Sequence, residues 1–139
     1  MRRFIAILLL AAAGCGPKAL PAVAKPVPVR GKVLLPGDRP LTGGVVTFRP
    51  VGEPVAGRYQ GWGFVKPDGT FEVAAFSDAT KGGGVAPGKY KVIISVREEG
   101  EPTGSNAQLI PKVYTEETTT PLTIEIASGD NDLPPFVLK

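Results

Sequence analysis

The sequence predicts an all-β fold, a seven-stranded antiparallel β-sandwich that follows an apolar leader and a proline-rich tether. In residues 87–96, Tyr90, Val92 and Ile94 alternate with the polar residues Lys89, Lys91 and Ser95, with Ile93 as the exception. This is the pattern of a half-buried strand, because successive side chains point to opposite faces. The chain also carries 18 glycines and 15 prolines, which favour short strands joined by sharp turns. No helical pattern follows the leader.

Length and charge restrict the classes of protein to consider. The 139 residues allow one domain. Without Arg2 and Arg3 of the leader, 14 of the 16 basic residues remain against 13 acidic ones, a net charge of +1. Such a near-neutral surface gives no reason to expect nucleic-acid binding. Cys15 is the only cysteine, so the core must hold the fold without an intramolecular disulfide.

Residues 1–14 have the pattern of an export signal. Arg2 and Arg3 precede an apolar run over residues 4–13, which is too short to span a bilayer as a helix. Small residues at 12–14 then lead directly to Cys15. This arrangement resembles the lipobox of bacterial lipoproteins. The resemblance implies that Cys15 is diacylated on its sulfur and becomes the new N-terminus, so that acyl chains hold the protein on the membrane.

Two other interpretations of the leader remain open. It could be an ordinary cleaved signal with an incidental cysteine, or an uncleaved apolar anchor. Residues 15–27 contain Pro17, Pro21 and Pro26, which leave no helix or strand pattern. We therefore expect a lipidated, extended tether over residues 15–27 and a folded domain over residues 28–139, outside the cytoplasm.

Seven segments of the domain have strand patterns, with turn residues between them. They are residues 29–35, 45–50, 59–65, 70–76, 87–96, 121–126 and 136–138. The glycine-rich residues 77–86 are expected to form a flexible turn, because the lysine precedes the glycines and no phosphate-binding motif is present. We expect the polar residues 98–107 to be a mobile excursion.

The third predicted strand carries the candidate ligand platform. Trp62 and Phe64 share one face and, with Tyr59, could stack against a sugar; Gly61 and Gly63 share the other face. A glycine inside a strand is typical of a bulge or of a close backbone approach. The competing interpretation is that these aromatic side chains belong to the core, as in most sandwich strands.

Several segments together resemble carboxypeptidase regulatory-like domains. They are residues 29–33 (VRGKV), 40–48 (PLTGGVVTF), 68–71 (DGTF) and 86–92 (APGKYKV). Residues 110–114, 121–126 and 129–131 are similar to a version found in small planctomycete lipoproteins. The resemblance implies a transthyretin-like sandwich that serves as an accessory module and not as a catalyst, and it transfers no functional residue.

Two further sites were considered. Asp130, Asn131 and Asp132 could offer oxygen atoms to a cation, but the rest of an EF-hand loop is absent, and we expect a solvated turn without metal. A Lys32–Asn131 isopeptide bond, assisted by Glu72 or Glu125, would require both partners to be buried. The alternating pattern instead puts Lys32 opposite the apolar face.

The chain has no histidine, the commonest general base, and its carboxylates show no catalytic spacing. We therefore expect a non-enzymatic, lipid-anchored domain of the cell envelope that needs no cofactor and has a structural or protein-binding role. The alternative is a carbohydrate-binding module on the cell surface.

Overall fold

The computed structural model describes residues 25–55, 58–75 and 83–139. The predicted signal peptide, Cys15 and most of the tether lie outside these ranges, as do residues 76–82 of the glycine-rich region. The described residues form ten β-strands and two short 3-10 helices, which confirms the all-β prediction. None of the helices in these ranges is long and apolar enough to cross a membrane.

The strands follow one another along the chain with short connections. They are β1 (Val29–Leu35), β2 (Arg39–Pro40), β3 (Val45–Pro50), β4 (Gly61–Phe64), β5 (Thr70–Glu72), β6 (Ala74–Ala75), β7 (Gly88–Ser95), β8 (Thr123–Ile126), β9 (Asn131–Asp132) and β10 (Phe136–Val137).

The first sheet is organised around β1. Strands β2 and β5 pair antiparallel with β1, whereas β9 and β10 pair parallel with it. The first pairing residue is Val27, which bridges Val85 one residue before the expected start of the domain.

The second sheet has the order β6-β4-β3-β7-β8, and all its pairs are antiparallel. Its central strands are β3 and β7, which pair from Val45 with Ser95 to Pro50 with Tyr90. Tyr90, Val92 and Ile94 are fully buried, as the alternating pattern predicts.

The predicted fourth strand divides because the chain passes from one sheet to the other. Its first part, β5, pairs with β1, and its second part, β6, pairs with β4. At the crossing, the backbone of Glu72 runs so close to Gly63 that a Cβ there would lie 2.2 Å from the Glu72 carbonyl oxygen. The predicted close backbone approach in the third strand is thus confirmed at Gly63.

The core lies between the two sheets and includes a chain of aromatic contacts. The Phe71 ring of the first sheet lies 6.2 Å from Phe48 of the second and stacks on Phe136 at 6.0 Å. Phe48 in turn meets Tyr90 edge-on at 6.2 Å. Tilted and edge-on rings at these distances are favourable beyond the burial of their area.

The predicted seven antiparallel strands differ from the ten observed. Strand β2 lies between the first two predicted strands, and β9 forms within the predicted solvated turn at residues 130–132. Pro134 and Pro135 separate β9 from β10, since proline has no N–H to donate to a ladder. The prediction of a purely antiparallel sandwich is wrong for β9 and β10, which run parallel to β1.

The expectation of no helix after the leader is also wrong. Two 3-10 helices, Ala107–Leu109 and Lys112–Tyr114, bring the chain back after β7. Ile110 and Tyr114 anchor this segment in the core, whereas Leu109 and Val113 are exposed. A single buried residue per turn gives no extended periodicity, which is why the sequence pattern does not reveal these helices.

Candidate functional site

The outer face of the second sheet carries the candidate site, and β4 supplies its aromatic side chains. Gly61 and Gly63 face inward and are buried, so Trp62 and Phe64 face outward. The backbone of Glu72 leaves no room for a side chain at Gly63, which fixes this orientation. The core interpretation of Trp62 and Phe64 is therefore wrong, because the glycine face of the strand is the inner one.

Trp62 and Phe64 form an edge-on pair with ring centroids 4.8 Å apart. Phe64 is 48% exposed, and Trp62 is half-buried. Opposite them on β3, Thr47 pairs with Trp62 and Val45 pairs with Phe64. These four residues form the floor of a shallow groove of about 490 Å³, a size within the range of small-ligand sites.

One wall of the groove comes from the chain just after β7. The guanidinium of Arg97 lies 4.1 Å from the centroid of the Phe64 ring, a cation–π distance. Glu98 and Glu99 continue this wall, and Gln60 lies at the other end of the groove. We refer to the floor and these walls together as the aromatic groove.

A second polar cluster holds that wall in place. The Glu101 carboxylate accepts hydrogen bonds from the Arg97 N–H at 2.6 Å, the Ser105 hydroxyl at 2.8 Å and the Gly44 N–H at 3.2 Å. Burial raises the pKa of Glu101, but the hydrogen bonds from Arg97, Ser105 and Gly44 outweigh it and hold the pKa below its usual value. Glu101 is therefore a charged anchor for the start of the loop.

Asn106 fastens the other end of this loop. Its side-chain oxygen accepts from the Thr42 N–H at 2.7 Å, and its amide nitrogen donates to the Pro40 carbonyl at 3.1 Å. Residues 97–106, which we call the clipped loop, are thus bonded at both ends to residues 40–44. Within the expected mobile excursion, Glu101 and Asn106 thus bond to residues 40–44, whereas Glu98 and Glu99 are exposed to solvent. The mobility of this stretch stays a prediction.

The segment 112–120 covers another part of this sheet face, whereas Lys89, Thr123 and Glu125 remain exposed. Arg49 forms a 3.5 Å ion pair with Glu117, and Lys91 donates to the Glu117 carbonyl at 3.1 Å. The 3-10 helix Lys112–Tyr114 also contacts β7. These contacts account for Ile93, which faces outward yet is only 8% exposed. The aromatic groove lies on a part of this face that the 112–120 segment does not cover.

The structure brings together only two of the three predicted platform residues. Tyr59 is half-exposed, but it does not line the aromatic groove or pair with another ring. Sequence reasoning missed Arg97, Glu98 and Glu99. Arg97 could have been found from the alternation of β7, because it continues the outward parity of Ile93 and Ser95.

The alternative sites receive no support from the geometry. Asn131 donates to the carbonyls of Ala127 and Gly129, and Asp132 pairs with Arg30 at 2.9 Å. Within the described ranges, no cluster of three or more Asp, Glu, His or Cys side chains could hold a metal ion.

The geometry of the isopeptide candidates is equally unsuited to a bond. Lys32 and Asn131 are only half-buried, and Glu72 and Glu125 are exposed. The Asn131 amide bonds to its own turn. The site residue Cys15 lies outside the described residues.

Comparison with known proteins adds no relative. No family model matches the chain, and neither a curated protein nor a solved structure matches it.

Proposed function

We propose that this chain is a non-enzymatic, lipid-anchored β-sandwich of the cell envelope with a structural or protein-binding role. In this proposal the two sheets form a transthyretin-like module of the carboxypeptidase regulatory-like type. The signal peptide at residues 1–14 is removed, and acyl chains on Cys15 hold the module on the membrane through the tether.

The observation that carries the binding role is the outward-facing pair of Trp62 and Phe64. A soluble domain gains stability by burying such rings, and this fold leaves Phe64 half-exposed although the core contains five other aromatic rings. Exposed aromatic side chains in a groove with polar walls are typical of binding sites. The groove is thus the face that the module presents to a partner.

The second candidate function is carbohydrate binding, and the composition of the groove favours it. The Trp62 ring offers an apolar surface on which the C–H face of a sugar can pack. Thr47, Gln60 and the two carboxylates of Glu98 and Glu99 surround it with hydrogen-bonding groups. A protein partner needs an interface of roughly 1,000 Å² or more, whereas the volume of the groove, about 490 Å³, suits a small ligand.

Sedimentation with bacterial envelope fragments tests the binding role. The detergent-solubilised protein should sediment with the fragments, and Trp62→Ala should reduce its apparent affinity about tenfold. Tyr59→Ala is the matched control, because Tyr59 is an exposed aromatic residue outside the groove. Equal binding by wild type and Trp62→Ala would show that the groove is not the binding site.

A further inference from the structure

The aromatic groove has one cation and two carboxylates, and they are not equally available to a ligand. The guanidinium of Arg97 rests on Phe64, and its Nε donates to the Gly44 carbonyl at 3.4 Å. Glu98 and Glu99 are exposed. Among the described residues, neither carboxylate lies within ion-pair distance of a cation. The groove therefore presents net negative charge to an incoming ligand.

The two rings also differ in what they offer. Arg97 covers one face of Phe64, so that face is already in contact with a cation. Trp62 meets Phe64 only edge-on, and no described cation lies over its indole. Trp62 is therefore the ring that can receive a ligand, and one indole accommodates a single sugar ring.

The polar groups around Trp62 can both donate and accept hydrogen bonds. In the described part of the chain, the side chains of Thr47 and Gln60 make no hydrogen bond of their own, so they are free to pair with hydroxyl groups. A carboxylate accepts strong hydrogen bonds from hydroxyl donors. A carboxylate of an acidic ligand placed opposite Glu98 or Glu99 would have no proton to donate and would be repelled, since like charges facing each other are costly.

We propose that the aromatic groove binds one pyranose unit of a neutral glycan and rejects glycans that carry uronate groups. The C–H face of the sugar packs on Trp62, its hydroxyls donate to Glu98 and Glu99, and Gln60 donates to a ring or hydroxyl oxygen. This inference rests on the proposed binding role of the groove and adds the charge class of the ligand.

The test uses the fluorescence of Trp62, the only tryptophan in the chain. The full-length protein in a non-glycosidic detergent is titrated with neutral glucan, mannan, galactan, xylan and N-acetylglucosamine oligomers. The hexose polymers are also tested after oxidation of their C6 hydroxyls to carboxylates, which adds a negative charge and removes the C6 hydroxyl donor while keeping the ring and its other hydroxyls. We expect at least one neutral glycan to alter the emission, and its oxidised form to bind about tenfold more weakly or worse.

Variants separate the charge effect from loss of the site. Trp62→Ala should reduce binding of the neutral glycan about tenfold when binding is followed by calorimetry, whereas Tyr59→Ala should leave it unchanged. The double variant Glu98→Gln and Glu99→Gln should reduce the difference in binding affinity between the neutral glycan and its oxidised form. If no neutral glycan binds, or if the oxidised forms bind as tightly, the inference is wrong.

The failure of this inference can be told apart from that of the proposed function. If Trp62→Ala weakens sedimentation with envelope fragments although no glycan of the panel binds, the groove binds a different ligand and only the glycan assignment fails. If Trp62→Ala leaves sedimentation unchanged, the groove is not the binding site and both proposals fail.

Discussion

Ile94 and Lys91 lie three residues apart on β7 in opposite surroundings. Ile94 is fully buried in the core, whereas Lys91 is only half-buried and donates to Glu117. We expect Ile94→Ala to lower the free energy of unfolding by about 2–5 kcal/mol and Lys91→Ala to change it by no more than roughly 0.5 kcal/mol. Urea denaturation measures both. Equal effects would indicate that β7 is shifted by one residue, which would exchange its two faces.

Tyr90 gives the core a dependence on high pH. Its hydroxyl donates to the Ala86 carbonyl at 2.6 Å, and burial raises its pKa to about 12 despite the opposing charge of Arg58. The unfolded chain ionises at about pH 10. The folded state therefore favours the neutral phenol, and the associated stability is complete below pH 10 and is lost as the pH rises towards about 12.

Lysines ionise over the same pH range as Tyr90. The Tyr90→Phe variant keeps all the lysines, so comparison with wild type isolates the contribution of the Tyr90 phenol. At neutral pH the variant should unfold more easily by about 1–2 kcal/mol, because the buried Ala86 carbonyl loses its donor. Between pH 10 and pH 12 the difference in the free energy of unfolding from wild type should shrink, since only the wild type has a phenol to ionise at position 90. A difference that stays constant over this range in urea denaturation would contradict the buried environment of Tyr90.

The clipped loop depends on one carboxylate. Because the folded-state pKa of Glu101 lies below its usual value, its contribution to stability is present above about pH 4.5 and is lost as the pH falls through the folded pKa. We expect the amide chemical shifts of Gly44 and Arg97 to move together with this titration in NMR spectra. Independent or pH-insensitive shifts would show that Glu101 does not hold the two amides.

A variant without the Glu101 charge measures how much this carboxylate contributes to the free energy of unfolding. Glu101→Gln should lower the free energy of unfolding by about 1 kcal/mol, since the site is partly open to solvent and screening weakens the bonds. Glu98→Gln is the matched control, because Glu98 is an exposed glutamate in the same loop. If Glu98→Gln lowered the free energy of unfolding as much as Glu101→Gln does, Glu101 would not be a specific anchor of the loop.

The strands that could be predicted are those whose pattern is local. β1, β3 and β7 show period-two alternation, and the buried positions follow it. The parallel pairing of β9 and β10 with β1 joins residues about a hundred positions apart, as in the Arg30–Asp132 pair. Local periodicity contains no information on such pairing, so neither the register nor the direction of these strands could be inferred.

The candidate site could also be predicted only where it depends on local spacing. The shared face of Trp62 and Phe64 follows from their spacing, but the side of the sheet they occupy depends on the approach of Glu72 to Gly63. That approach arises from the crossing between sheets after β5, which no local pattern of the sequence reveals. Tyr59 precedes the first residue of β4, so its distance from the pair depends on a loop path that alternation does not determine.

At the scale of the whole molecule, the proposed attachment to the membrane depends on Cys15. Removal of residues 1–14 leaves no long apolar segment in the sequence. Two acyl chains give stable attachment, whereas one binds marginally. We expect the wild type to partition into detergent and its mature mass to exceed that of residues 15–139 by a lipid increment.

Two variants complete this test of lipid attachment. Cys15→Ala should prevent lipidation and the matching cleavage, and a chain that starts at Lys18 should be a soluble, folded β protein. A soluble wild type with an unmodified Cys15 thiol, identified by mass spectrometry, would refute the lipoprotein assignment.

We propose that the protein binds its ligand at the aromatic groove, beside Trp62. Acrylamide quenching of Trp62 fluorescence, with and without saturating envelope fragments, tests it most directly. Because Trp62 is half-buried at the surface, we predict measurable quenching of the free protein and clear protection of the bound protein. If the protein sediments with the fragments while Trp62 remains equally quenchable, binding occurs elsewhere and the claim is contradicted.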